Sequence, residues 1–190
     1  MIRFLLTLMA ANCATAALAD EPFKVPDGYS LQILEPTGGK IARPNGWFCD
    51  ERNTPSGYLW TISREDPRKG AYLVGEHIQV LMKVQEIGKI SAPAFIETFI
   101  AGRKQAAARV LSECATTARG IFQRRCLETE EVLPADGGAK RFHIQYSLFW
   151  ANDLAVVATF GAPVEEWASV QHFADAMATF EIIDMSRFAK

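Results

Sequence analysis

Hydrophobic and polar residues alternate most regularly within Arg141–Phe160, where two strand-like runs meet at a short polar break. In the first run, large apolar residues occupy every second position across Phe142–Trp150, a period that places them on one face of a β-strand. Asn152 and Asp153 are residues that a tight hairpin turn favours. The second run, Leu154–Phe160, is apolar on both faces, as is typical of a strand inside a covered sheet. The pattern predicts a central β-hairpin.

Shorter runs of the same alternation predict further strands at Tyr29–Leu34, Ser56–Arg64, His77–Gln85, Gly120–Val132 and Phe180–Ile183. Between the first two of these runs, a turn at Pro44–Gly46 precedes Trp47, which we expect to enter the core.

Two segments have helical spacing instead. The first begins after Ser91, a suitable N-cap, with Pro93 in the first turn, and its apolar positions continue to Leu111. The second is predicted to begin at Pro163 and to end near Thr179. Strands that precede and follow a helix in this order indicate an α+β fold with a mainly antiparallel sheet of about six strands, one long helix mid-chain and one C-terminal helix.

The N-terminal residues have the pattern of a secretory signal peptide. Basic Arg3 precedes the short apolar run Phe4–Ala11, and Ala17–Ala19 forms an A-x-A cleavage site before Asp20. A retained membrane anchor is the alternative, although the apolar run is too short to span a bilayer. Removal of the signal peptide near Ala19 predicts a periplasmic or secreted protein. Its organisation is then a signal peptide at 1–19, an extended leader at 20–28, a single domain at 29–184 and a tail at 185–190.

The charge composition limits the classes of partner that we expect. Without residues 1–19 the chain has 19 basic and 22 acidic residues, a net charge of −3, and the two signs are interspersed. With no basic stripe, nucleic acid is not an expected partner. We assume a monomer.

Three cysteines remain after signal-peptide removal, namely Cys49, Cys114 and Cys126. In an oxidising compartment this number indicates one disulfide and one leftover thiol. Cys114 and Cys126 flank the turn region at Gly120, so we expect them to pair and to tie a helix end to the next strand. Three buried thiols are the alternative. A zinc site is disfavoured because no C-x-x-C spacing or nearby histidine accompanies the cysteines.

The order of elements resembles the PsbP-like family, which is named for an extrinsic protein of photosystem II. The resemblance rests on the Pro-x-Gly-Trp step at Pro44–Trp47, the long helix that opens near Pro93, the three-strand meander and the final helix that leads into Phe180–Ile182. It implies an α/β/α sandwich without catalytic activity or cofactors, in which members act by binding. A protein partner is therefore expected, with the chain as an assembly factor, a stabiliser or an effector-neutralising immunity protein.

Strand alternation suggests one candidate binding face. The polar residues of two predicted strands lie opposite apolar rows, and they would form one polar floor if the strands shared a sheet in matching orientation. These residues are His77, Gln79, Lys83, His143, Gln145 and Ser147. The alternative function is a small-ligand-binding protein or a hydrolase that uses His77 and His143 on this floor. Ordinary solvated strand faces would show the same pattern.

No catalytic motif is present. There is no G-x-S-x-G elbow and no glycine-rich phosphate loop, so we expect no enzyme activity. The polar loops Glu65–Gly70 and Leu133–Gly138 are long enough to form a recognition surface. Arg124 is predicted to seek an acidic partner inside the fold.

Overall fold

The computed structural model describes residues 23–135, 138–184 and 187. The strands are β1 (Tyr29–Leu34), β2 (Gly38–Pro44), β3 (Phe48–Thr54), β4 (Gly57–Ser63), β5 (Gly75–Met82), β6 (Arg109–Arg119), β7 (Phe122–Ala135), β8 (Gly138–Ala151), β9 (Leu154–Pro163) and β10 (Glu181–Ile183). The helices are α1 (Val84–Gly88), α2 (Ala92–Ala106) and α3 (Trp167–Met177). None of the helices in this part of the chain is long and apolar enough to cross a membrane.

The strands form two antiparallel sheets, so the α+β class is confirmed. The large sheet has the order β3-β4-β5-β9-β8-β7-β6, and the small sheet has the order β1-β2-β10. Helix α2 packs on one face of the large sheet, called here the α2 face. The small sheet and α3 pack on the opposite face, called the α3 face.

Alternation along each strand supplies both cores. On the α3 face, Trp60, Phe149 and Phe160 pack with residues of the small sheet and of α3. On the α2 face, Tyr146 and Leu148 pack against the helix. The predicted hairpin is confirmed as β8 and β9, and Asn152 takes a φ of 50° in its turn. Trp47 is buried, as predicted.

The prediction of about six strands is wrong, because ten strands lie within the described residues. The largest omission is β6, part of which was assigned to the first helix. Val110 and Leu111 continue the apolar spacing of α2, but the helix ends at Ala106 and Ala107 is extended. Strand β6 lies at the edge of the large sheet with most residues exposed and two breaks in its register, so its sequence shows no clean alternation.

Two element boundaries also differ. Pro163 is the last residue of β9, opposite Phe142, and α3 begins four residues later at Trp167. A proline fits this strand end because the ladder needs no N–H from it there. Strand β5 ends at Met82, and Lys83 takes a left-handed conformation that starts α1.

Candidate binding pocket

A cavity of about 410 Å³ opens on the α2 face, at the end of the large sheet where β4 runs into β5. We call it the loop pocket, because the β4–β5 loop (residues 64–74) and the end of the β7–β8 hairpin form its two walls. The lining residues are Glu65, Ala71, Tyr72, Leu73, Gly75, Leu133, Pro134, Ala135, Lys140, Phe142, Ile144, Thr159 and Gly161. Most of them are apolar.

Two glycines lie side by side in the floor of the pocket, and neither adds a side chain to the cavity. Gly75 of β5 pairs directly with Gly161 of β9, and both line the cavity. A Cβ at Gly75 would meet the backbone oxygen of Ile62 at 2.6 Å, so the close approach of β4 and β5 requires a glycine there. A Cβ added at Gly161 would have the Cγ1 of Ile144, 3.9 Å away, as its nearest neighbour, so the sheet has room for a side chain there.

The loop wall is organised around Glu65. Its Oε2 accepts hydrogen bonds from the backbone N–H groups of Leu73 (3.1 Å) and Val74 (3.2 Å), and its Oε1 accepts one from Arg64 (2.9 Å). Burial would raise the pKa of the Glu65 carboxyl, but these hydrogen bonds hold it below its usual value. The charged form of Glu65 therefore fixes the loop across the pocket.

The remaining polar groups of the pocket are few. Tyr72 contributes a phenol whose pKa is raised to about 12, first by burial and then by the nearby Glu76. Lys140 adds a positive charge and Thr159 a hydroxyl. An apolar cavity of this size with a few polar groups is the usual form of a ligand or side-chain binding pocket. No histidine, cysteine or serine is among the described residues that line it.

The structure divides the predicted polar floor between the two faces of the large sheet. Strand β9 lies between β5 and β8. His77 is opposite Thr159, which is opposite Tyr146, so His77 lies on the α2 face. His143 is opposite Ala162, three positions from Thr159, and lies on the α3 face. The two histidines therefore cannot share one floor, and the predicted hydrolase site that joins them does not form.

The three residues predicted from β5 have separate surroundings. His77 adjoins the loop pocket beside Thr159, and its Nδ1 is 3.4 Å from the Thr61 hydroxyl. Burial, and then the charge of Arg52, lower the pKa of His77. Gln79 is exposed on the same face. Lys83 lies beyond the strand and pairs with Glu86 at 3.1 Å.

The three residues predicted from β8 share the α3 face. The His143 ring stacks on Trp167, with 3.7 Å between centroids, and its Nε2 is 2.6 Å from Glu128 Oε1. The other oxygen of Glu128 accepts a hydrogen bond from Ser112 at 2.9 Å. Because the serine hydroxyl contacts the carboxylate and not the imidazole, this group is not a catalytic triad. Gln145 and Ser147 follow along the same strand face.

The two loops singled out from the sequence meet at the pocket. The described parts of Glu65–Gly70 and Leu133–Gly138 contribute Glu65 and Leu133–Ala135 to its lining, and residues 136 and 137 lie outside the described residues. Sequence reasoning missed the floor residues Gly75 and Gly161. A glycine inside a strand pattern is the signal that would have found them.

The predicted disulfide is present between Cys114 and Cys126, which lie directly opposite each other on β6 and β7 with 5.1 Å between Cα atoms. It joins the edge strand β6 to its neighbour β7, whereas the sequence predicts a link between a helix end and a strand. Cys49 is a free thiol, and burial raises its pKa. Among the described residues, no three histidine, cysteine or acidic side chains group in a way that could hold a metal ion.

These features define an α+β protein with an apolar cavity at one end of a large antiparallel sheet. The chain has a PsbP-like fold. The solution structure of cyanobacterial PsbP (CyanoP) from Synechocystis sp. PCC 6803 superposes with a TM-score of 0.52 at 12% sequence identity, over 86% of this chain and 98% of that one. At this identity the likeness shows the fold alone.

Two other solved structures are more distant. They are a Pseudomonas aeruginosa protein of unknown function, PA94 (TM-score 0.44, 8% identity, 80% of this chain and 94% of that one), and LpqN, which is involved in cell envelope biogenesis of Mycobacterium tuberculosis (0.42, 14%, 77% and 83%). No protein-family model matches the sequence, and no curated protein matches it either.

Proposed function

We propose that this chain is an exported, non-catalytic binding protein that takes an apolar side chain of a protein partner into the loop pocket. One observation carries the proposal: two polar loops converge on a single apolar cavity whose floor is kept open by a glycine pair. The mostly apolar lining favours an apolar occupant, and the polar rim allows the backbone that flanks it to bind as well.

Export is supported by two features. The sequence at residues 1–19 has the form of a signal peptide, although it lies outside the described residues. The Cys114–Cys126 disulfide suits an oxidising compartment such as the periplasm or the exterior of the cell.

Tagged variants expressed with residues 1–19, so that the protein is exported, test the proposal in the native envelope by brief cross-linking and mass spectrometry of the captured proteins. Gly161→Leu should fill the pocket without disturbing β9, because a Cβ at Gly161 meets no atom closer than 3.9 Å. Gly102→Leu is the matched control, since Gly102 lies on α2 with open space around it. We expect one stoichiometric protein with the wild type and with Gly102→Leu, and its loss with Gly161→Leu.

Equal capture by all three proteins would contradict a role for the loop pocket. A small molecule retained by the wild type in native mass spectrometry and lost in Gly161→Leu would make the pocket a small-ligand site. A turnover activity that disappears when His77 or His143 is replaced would contradict the non-catalytic assignment.

A further inference from the structure

Arg124 of β7 is a cation that no acidic side chain of the described residues contacts. Its side chain lies on the α3 face, opposite Phe149, and its guanidinium carbon is 5.9 Å from the centroid of that ring. Its Nη2 donates to the Ser147 hydroxyl at 3.4 Å, and its Nε is enclosed with no acceptor among the described residues. The acidic partner predicted from the sequence is therefore not found in the described part of the chain.

The neighbouring arginine of the same strand, Arg125, has acidic partners for its guanidinium. Arg125 points to the α2 face, where its Nη1 donates to Glu97 at 2.7 Å and its Nη2 contacts Glu113. Glu97 and Glu113 therefore offset the charge of Arg125, whereas Glu128, on the α3 face of the same strand and opposite Gln145, contacts His143 and Ser112. On the α3 face, Arg124 has a hydroxyl and an aromatic ring instead.

A second cation increases the positive charge beside Arg124. The guanidinium carbon of Arg119 is 5.5 Å from the centroid of the same Phe149 ring. Arg119 is held by the carbonyl oxygens of Ala178 (3.1 Å) and Phe180 (2.8 Å). Burial and then the charge of Arg124 lower the pKa of Arg119, and the charge of Glu181 offsets part of this lowering. Both arginines therefore share a region that would be stabilised by an anion.

Hydrogen-bond donors accompany the charge. Ser147, 5% exposed, accepts from Arg124 and keeps its own hydroxyl hydrogen to donate. Gln145 precedes it by two positions on the same strand face and carries an amide donor. In β6, the register shift between Cys114 and Thr117 lies directly beside Arg124, which pairs with Thr117. Bulges of this kind are common next to binding sites.

We infer that Arg124, Ser147 and Gln145 form a binding site for an oxyanion, either a carboxylate or a phosphate group, on the α3 face. A partly buried charge without a counter-ion destabilises the fold, and an incoming anion would offset that cost. The planar fork of a guanidinium matches the paired oxygens of either group. The site is on the opposite face of the sheet from the loop pocket, so it goes beyond the function proposed above.

Arginine side-chain NMR tests the site directly. The Nε–H signals of ¹⁵N-labelled protein are followed during titration with sodium acetate, sodium phosphate or sodium chloride at matched ionic strength, and the Arg124 signal is assigned by its absence in Arg124→Lys. We expect a saturable shift of the Arg124 signal with acetate or phosphate and none with chloride. Arg68, whose Nε donates to Asp66 at 2.8 Å, is the internal control and should not respond saturably.

The titrations show which anion the site prefers. If acetate saturates the Arg124 shift at the lower concentration, the ligand is a carboxylate. If phosphate does so, the ligand is a phosphate group. A shift that chloride reproduces, or no shift at all, would overturn the proposal.

Thermal unfolding is the second readout. Arg124→Met should raise the Tm in chloride and lose the stabilisation that the preferred anion confers on the wild type, whereas equal stabilisation of both proteins would also overturn the proposal.

Discussion

The two faces of the large sheet are covered by different elements, and each cover is incomplete in its own way. On the α2 face, one helix leaves an apolar cavity whose nearby carboxylate, Glu65, is fully engaged in hydrogen bonds. On the α3 face, the small sheet and α3 enclose a larger apolar core, and the Nε of Arg124 has no acceptor among the described residues. One face thus contains an unfilled apolar cavity, and the other contains a cation that no acidic side chain of the described residues contacts. We expect the two faces to differ in the kind of group that each can accept.

The largest expected effects come from the cores themselves. Trp60 is fully buried on the α3 face, and its indole N–H donates to the Glu35 carbonyl at 3.1 Å. Trp60→Ala should lower the free energy of unfolding by about 3–5 kcal/mol, and Ile96→Ala in α2 by about 2–5 kcal/mol, through lost packing and cavity formation. Denaturant unfolding measures both.

Ile87→Ala is the control for this comparison, because Ile87 is 57% exposed on α1 and its truncation should cost less than about 0.5 kcal/mol. If Ile96→Ala were as mild as Ile87→Ala, then α2 would be a loosely attached cover and the loop pocket would lose its rigid frame.

The next effect concerns the buried carboxyl of Glu76, which lies on the α3 face beside Ile62 and Phe160. Burial raises its pKa from 4.5 to about 8. The folded protein therefore holds the proton more tightly than the unfolded chain, so stability is lost as the pH rises between these values. Between these values the free energy of unfolding should fall by about 1.4 kcal/mol for each pH unit.

Glu76→Gln should remove this pH dependence. His77 and other groups titrate in both proteins, so the difference between the two pH–stability curves gives the contribution of the Glu76 carboxyl alone. Glu86→Gln, at an exposed position of α1, should keep the wild-type slope. Parallel curves for the wild type and Glu76→Gln would show that the carboxyl is solvated and that this part of the core admits water.

Sequence periodicity predicted the parts of the fold in which burial alternates. The β8–β9 hairpin and strand β4 were found because their inward residues are large and their turns carry suitable residues. Strand β6 was missed because an exposed, bulged edge strand needs no apolar row, and its first apolar residues happen to extend the spacing of α2.

The candidate sites depended on information that no local pattern contains. The register of β9, which lies between β5 and β8, decides whether His77 and His143 share a face of the sheet. A shift of one residue in that register would have placed both histidines on the same face. The polarity of the two loops is visible in the sequence, but their meeting at one pocket requires the strand order β5-β9-β8-β7. The charge of Arg124 was noted, yet its missing partner could be established only from the packed structure.

The smallest of the three effects comes from the disulfide, which lies on the same strand face as Arg124 and two residues from it. Replacing both Cys114 and Cys126 by serine should lower the free energy of unfolding by about 3 kcal/mol, because the unfolded chain regains the freedom of a short closed loop.

The same double replacement frees β6 at the bulge beside Arg124. Acetate or phosphate binding at Arg124 should therefore weaken, while partner capture by the loop pocket on the other face stays unchanged. Cys49→Ser is the control, since Cys49 forms no disulfide. Equal weakening at both sites would show that the two faces respond to strand β6 as one unit, and the comparison between them would fail.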